Sequence, residues 1–227
     1  MATVSAQFNK SWKSANVIPV FKSGNRSDIE NYRPISILPA VAKVFECLVR
    51  DILFNLLKNC IIPQQHGFFP GRSTATNLME FIDFTISSFE DGLQVDAVFT
   101  DFKKAFDRIS HEILLSKLHM IGVNSRLLLW IKSYLSERVQ MVKLGGVVSD
   151  PYGVGSGVPQ GSHLGPLLFL LFINDVKNCF HHSQCLLYAD DLKIFRTVSV
   201  KSDCSLLQND LQRFYKWCID NQLELNI

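Results

Sequence analysis

Helices and strands that interleave without a regular strand–helix–strand rhythm place this chain in the α+β class. Three observations carry that reading. Apolar residues make up 47% and charged residues 19% of the 227, enough for a packed core without disulfide or metal staples. Val41, Phe45, Leu48, Ile52 and Leu56 recur at helical steps, whereas residues 94–102 (QVDAVFTDF) alternate as a strand does. The two kinds of segment then follow one another in uneven order. The length suits one large domain or two small lobes.

Residues 17–38 read as irregular, with Pro19, Gly24, Pro34 and Pro39 punctuating short extended pieces. The helix from Val41 is followed by Pro63, and residues 64–73 (QQHGFFPGRS) read as a loop. Thr74 to Glu90 predicts a second helix with Leu78, Ile82 and Phe89 on one side. The strand over 94–102 sets Val95, Ala97, Phe99 and Asp101 on one face. Ser110 caps a helix that Gly122 stops, and Asn124 opens another. Residues 138–144 and 147–150 predict a hairpin turning at Gly145-Gly146. Pro166, as a first helical residue, opens a very apolar helix to about Asn178. Cys185–Ala189 and Leu192–Phe195 predict short strands flanking Asp190-Asp191. Ser202 starts a last helix, with Leu207, Leu211, Phe214 and Cys218 at helical steps.

Charge and cysteines narrow the function classes. The formal net charge is +2, which argues against a basic arm that holds nucleic acid by charge alone. It is uneven: residues 1–60 carry +4, 61–100 carry −4, 101–150 carry +3 and 151–227 carry −1. The longest apolar run, Leu164 to Ile173, is too short for a membrane span of about 20 residues. No leader is visible at Met1, so an intracellular protein of nucleus or cytoplasm is expected, with no membrane partner. The six cysteines fit no disulfide scaffold. The cluster from Cys179 to Cys185 carries His181 and His182, but its spacing does not match zinc-finger geometry.

The chemistry concentrates in three carboxylates. Asp190 and Asp191 sit at a tight strand–strand turn, where both can reach one region of space. Neighbouring acids repel unless a cation lies between them. Hard oxygen donors of this kind select Mg2+ or Mn2+. A bare Asp-Asp in a turn is usually only a solvated acidic turn. Asp101, however, ends an apolar strand, where a carboxylate needs a partner or a metal. Together the three supply the oxygens of a two-metal site for phosphoryl transfer.

The order of motifs then resembles the palm of a reverse transcriptase. It runs Asp101, Ala105-Phe106-Asp107, Gly157-Val158-Pro159-Gln160-Gly161-Ser162 and Tyr188-Ala189-Asp190-Asp191. Asn31-Tyr32-Arg33-Pro34-Ile35-Ser36, Gln65-His66-Gly67-Phe68 and Gly71-Arg72-Ser73-Thr74 are similar to the fingers of non-LTR retrotransposon enzymes, especially jockey-like elements. The Asn31–Ser36 segment and the short spacings disfavour a group II intron maturase or a telomerase-like relative.

What the resemblance implies is specific. The fold would be the fingers (1–92) and palm (93–227) of a right-hand polymerase, an antiparallel palm sheet packed on helices. The activity would be RNA-directed DNA polymerase, adding dNTPs to a DNA primer on an RNA template. Asp101, Asp190 and Asp191 would be catalytic metal ligands, with the Phe102 carbonyl, for two Mg2+ ions or Mn2+ in their place. Lys22, Arg33, Phe106, Gln160 and Gly161 would bind the dNTP, with Phe106 selecting against a ribose 2′-hydroxyl. Arg72, Tyr188 and Ala189 would meet template or primer, and Asp107 would be structural. The thumb, the endonuclease and a downstream lysine that protonates pyrophosphate are expected in other parts of a parent polyprotein. The rival expectation is a catalytically dead, vestigial nucleic-acid-binding fragment of a retroelement.

Overall fold

The computed structural model describes residues 6–226; the reading made at Met1 lies outside them. In chain order the elements are β1 (Ser14–Phe21), β2 (Tyr32–Ile37), α1 (Ala40–Leu57), α2 (Thr74–Glu90), β3 (Gln94–Thr100), α3 (His111–Met120), α4 (Ser125–Leu135), β4 (Arg138–Leu144), β5 (Val147–Val148), β6 (Tyr152–Val154), α5 (Leu164–Ile173), β7 (Gln184–Tyr188), β8 (Asp191–Val198) and α6 (Lys201–Asp220). Helices and two separate sheets make the fold α+β, as expected. The chain forms two compact units, Met1–Leu57 with Phe106–Leu168, and Lys58–Ala105 with Phe169–Ile227. Among the described residues no helix is long and apolar enough to cross a membrane.

The first unit is built on a mixed sheet in the order β2-β1-β4-β5, with β6 also on β4. Residues 17–38, expected to be irregular, instead form the antiparallel β1–β2 hairpin, in which Pro19 lies opposite Pro34. Prolines fit a strand where no ladder bond is asked of their nitrogen. β2 is the edge of the sheet, and β1 pairs in parallel with β4 only over Ser14–Val17, so Pro19 lies beyond that ladder. The expected hairpin at Gly145-Gly146 forms, with Leu144 opposite Val147. Both glycines have positive φ, 56° and 88°, as a two-residue primed turn requires.

Behind this sheet lies an aromatic cluster. Phe8 meets Trp130 and Tyr134 edge-on at ring separations of 5.8 and 5.1 Å, and Phe45 tilts against Trp12 and Trp130. α1 buries Ala42, Glu46, Val49, Leu53 and Leu57, whereas Val41, Leu48, Ile52 and Leu56 are exposed. The buried stripe is therefore turned by one residue from the expected one, about 100° around the axis. α1 is apolar on more than one side, so spacing alone could not choose a face. Glu46 is fully buried, and desolvation pushes its carboxyl above the usual range although it accepts a bond from the His163 backbone N–H.

The second unit is a three-stranded antiparallel sheet in the order β3-β8-β7. α2 covers one face through Phe81 and Phe84, whose rings meet Phe195 at 5.1 and 4.9 Å. α6 covers the other, where Phe214 and Trp217 approach Phe102. α2 has the expected span but presents Asn77, Phe81, Phe84 and Ser88, at steps of 4, 3 and 4; Leu78, Ile82 and Phe89 are exposed. β3 has no buried residue, and Phe99 is 64% exposed. The strand expected to run through the core is thus the half-covered edge of its sheet. α5 begins at Leu164, two residues before Pro166, and gives way after Ile173 to a 3-10 turn over Asn174–Cys179. Proline is tolerated anywhere in a first turn, because those N–H groups have no intrahelical acceptor.

Candidate active site

The three aspartates come from two adjacent strands of the second unit. β3 pairs with β8 so that Thr100 lies opposite Leu192. The residue just after β3 is Asp101, and the one before Leu192 is Asp191. Asp191 pairs with Tyr188 across the β7–β8 hairpin, leaving Ala189 and Asp190 as its two-residue tip. The three carboxylates therefore gather at one end of the sheet. Asp101 and Asp190 are half-buried and Asp191 is exposed. Among the described residues no three His, Cys, Asp or Glu side chains already converge as a metal cage.

The backbone at Asp101 is held from the other edge. The Asn226 N–H donates to the Asp101 carbonyl at 2.8 Å, and the Lys103 N–H donates to the Glu224 carbonyl at 2.8 Å. Phe102 and Leu225 are thus a pair whose own polar groups turn away from each other. Carboxylates and a carbonyl are the hard oxygen donors that suit a Mg2+-type ion, so the donor chemistry of this sheet end fits a divalent metal.

The hairpin tip stands on a support that spacing alone did not disclose. Ala189 has φ +57°, a left-handed conformation that costs a non-glycine residue about 1–2 kcal/mol. Buried Gln65 offsets that cost from both sides. Its Oε1 accepts from the Ala189 N–H at 2.9 Å, and its Nε2 donates to the Ala189 carbonyl at 3.3 Å. The same Oε1 accepts from the Gly67 N–H at 2.8 Å. The His66 N–H and the Asn77 side chain both donate to the Leu187 carbonyl, at 2.8 and 3.1 Å. Asn77 also accepts from Lys193 Nζ at 2.7 Å. Burial pushes the Lys193 ammonium below its usual range while Asp191 draws it back up. Gln65 and Gly67 lie in a segment that only its resemblance to the fingers marks, and Asn77 carries no signal at all in the sequence.

Arg72, expected at template or primer, braces this same loop. Its guanidinium lies 3.9 Å over the Phe69 ring and donates to the carbonyls of Ile62 and Gln65 at 3.1 and 2.6 Å. Arg72→Ala leaves two carbonyls without that donor, and thermal denaturation is expected to show a loss of about 1–3 kcal/mol.

The residues expected to hold the nucleotide all belong to the first unit. Lys22 and Arg33 are exposed in and beside the β1–β2 hairpin. Gln160 donates through Nε2 to Asp107 Oδ1 at 2.9 Å, and its carbonyl accepts from the Ser36 N–H at 2.7 Å. Asp107, expected to be structural, thus orients the Gln160 amide. A cavity of about 330 Å³ opens here, lined by Pro34, Asp107, Gln140, Tyr152, Gly153 and Gln160 among others. Gly161 has φ +114°, and an added Cβ would stand 2.8 Å from the Ser36 carbonyl, so only glycine lets the loop reach β2. The Phe106 carbonyl accepts from the Val158 N–H at 2.8 Å, tying the residue to the same loop.

Residues 21–227 match the family described as reverse transcriptase (RNA-dependent DNA polymerase). The chain belongs to the reverse transcriptase family. This reverse transcriptase domain is 34% identical to the probable RNA-directed DNA polymerase from transposon BS of Drosophila melanogaster, over 93% of the chain and 24% of that protein. It is 32% identical to the RNA-directed DNA polymerase from mobile element jockey of the same species, over 96% of the chain and 25% of that protein. The domain thus spans about a quarter of the length of these relatives. Among solved structures, apo telomerase from Candida tropicalis matches with a TM-score of 0.69 over 96% of the chain and 44% of that structure, at 11% identity. Telomerase from Candida albicans in complex with a fragment of telomeric RNA matches at 0.60, over 97% and 43%, at 13% identity. At such identity the telomerases share the fold, while the non-LTR retrotransposon enzymes share the sequence.

Proposed function

We propose that this domain adds deoxynucleotides to a DNA primer on an RNA template, as the polymerase part of a non-LTR retroelement protein. The observation that carries the reading is the β3–β8–β7 register, which gathers Asp101, Asp190 and Asp191 at one sheet end. When bound there, two Mg2+ ions, or Mn2+ in their place, would lower the pKa of the primer 3′-hydroxyl and stabilise the charge on the leaving pyrophosphate. The chain's own task is to hold its acceptor oxygens in place, which Gln65 does for the hairpin tip.

Lys22 and Arg33 take the triphosphate, Arg33 with a fork of donors and Lys22 as a point charge. Gln160, steered by Asp107, meets the incoming or template base, and Tyr188 and Ala189 bear on the primer end. Phe106 sets its ring against the sugar. The fingers-and-palm division at residues 92 and 93 belongs to the same reading. The thumb and endonuclease belong to other parts of the parent polyprotein, within a cell's nucleus or cytoplasm.

The test is a chimera in which this chain replaces the matching segment of the jockey polymerase. The expected result is Mg2+-dependent extension of a DNA primer on RNA with dNTPs. A folded chimera that binds primer–template and adds no nucleotide would instead mark the chain as a vestigial binding module. Phe106→Ala in that chimera is expected to raise incorporation of ribonucleotides relative to dNTPs by about tenfold or more, read from the ratio of kcat/KM values.

A further inference from the structure

The short segment after α6 closes onto Asp101 with both the backbone and the side chain of one residue. After α6, Gln222 takes a left-handed turn at φ +57° and the Leu223 N–H returns to the Cys218 carbonyl at 2.9 Å. Leu223 is buried and anchors the segment. Leu225 then pairs antiparallel with Phe102, just past β3, on the side where among the described residues no other strand lies. At Asn226 the backbone N–H meets the Asp101 carbonyl at 2.8 Å, and Nδ2 donates to Asp101 Oδ2 at 3.2 Å.

We infer that Asn226 is a positioning residue that holds the Asp101 carboxylate ready for a divalent ion, an inference that rests on the metal reading above. The chemistry of the amide suits this task. A neutral donor fixes one carboxylate oxygen without neutralising the charge, and the lone pairs of Oδ1 remain for a metal. A lysine here would compete with the ion, and an aspartate would offer no donor. An unrestrained carboxylate on a half-covered strand would have to lose its rotamer freedom when the ion enters. Hydrogen-bond partners that orient a ligand are worth roughly 10–100-fold in metal affinity. Because Leu223 and the two backbone bonds hold the segment independently, removing the Asn226 side chain removes the donor and leaves the strand pairing.

The experiment is Mn2+ titration of the 227-residue chain, followed by electron paramagnetic resonance, with circular dichroism and thermal melting on every variant. Asn226→Ala is expected to weaken Mn2+ binding about tenfold with an unchanged melt. Asn226→Gln keeps an amide on a longer, exposed stem and is expected to recover most of that loss. If Asp190→Asn abolishes binding and Asn226→Ala stays within about twofold of the unaltered chain, the role of Asn226 is overturned and the metal reading stands. Mn2+ binding that is absent from the unaltered chain, or that Asp190→Asn leaves unchanged, overturns both.

Discussion

Gly67→Ala is expected to destabilise the chain by about 3 kcal/mol, the upper end for an overpacked site. An alanine Cβ there would stand 2.1 Å from the Ala189 nitrogen, 2.8 Å from its Cα and 3.0 Å from its Cβ. The first two are backbone atoms that cannot swing aside. The Ala189 nitrogen and carbonyl are both tied to Gln65, and the residue already holds a left-handed φ. Either the 188–191 turn moves, carrying Asp190 with it, or the Gln65 bonds break. At roughly 2–4 °C per kcal/mol for a chain of this size, the melting temperature should fall by about 6–12 °C. Gly155→Ala is the matched control. Its added Cβ meets nothing within 4 Å and its φ is not positive, so stability should stay within about 0.5 kcal/mol. Equal melts for the two variants would show that the Gln65–Gly67 segment does not support the hairpin.

The carboxylates were legible in the sequence because their signal is local. A pair of acids between two short apolar runs marks a hairpin, although its two-residue tip is Ala189-Asp190 and Asp191 already opens β8, one residue earlier than expected; Asp101 closes an alternating stretch. The helices α1 and α2 were legible in span but not in orientation, because both carry apolar residues on more than one side. On α2 the inward residues include Asn77, whose amide meets the Leu187 carbonyl and Lys193 across the unit, and Ser88, whose hydroxyl bonds the Phe84 carbonyl of its own helix and meets Thr197 on β8. The β1–β2 hairpin was hidden by prolines that read as breakers yet sit outside the ladder with β4. Gln65 and Asn226 show a different obstacle. Each acts on a residue more than a hundred positions away, through bonds that exist only once the strand register is set.

Asp190→Asn carries the largest expected loss of activity. The substitution keeps shape and removes one negative charge, and asparagine is at ease in a turn, so the fold should survive. In the jockey chimera, the proposed two-metal site predicts that primer extension on RNA falls by at least about a thousandfold, because a charge assigned to the metal is gone. Binding of the primer–template duplex, which depends on phosphate contacts elsewhere, should be kept. Extension at the original rate would show that Asp190 does not serve the reaction.

The arrangement of Asp101, Asp190 and Asp191 at the end of β3 and the tip of β7–β8 stands or falls on whether it holds divalent ions. The direct measurement is the number of Mn2+ ions bound per chain, by titration of the unaltered protein and of Asp101→Asn and Asp190→Asn. About two ions are expected for a two-metal site, both variants losing specific binding while their melting temperatures hold. No specific binding by the folded unaltered chain, or binding that both substitutions leave intact, would contradict it.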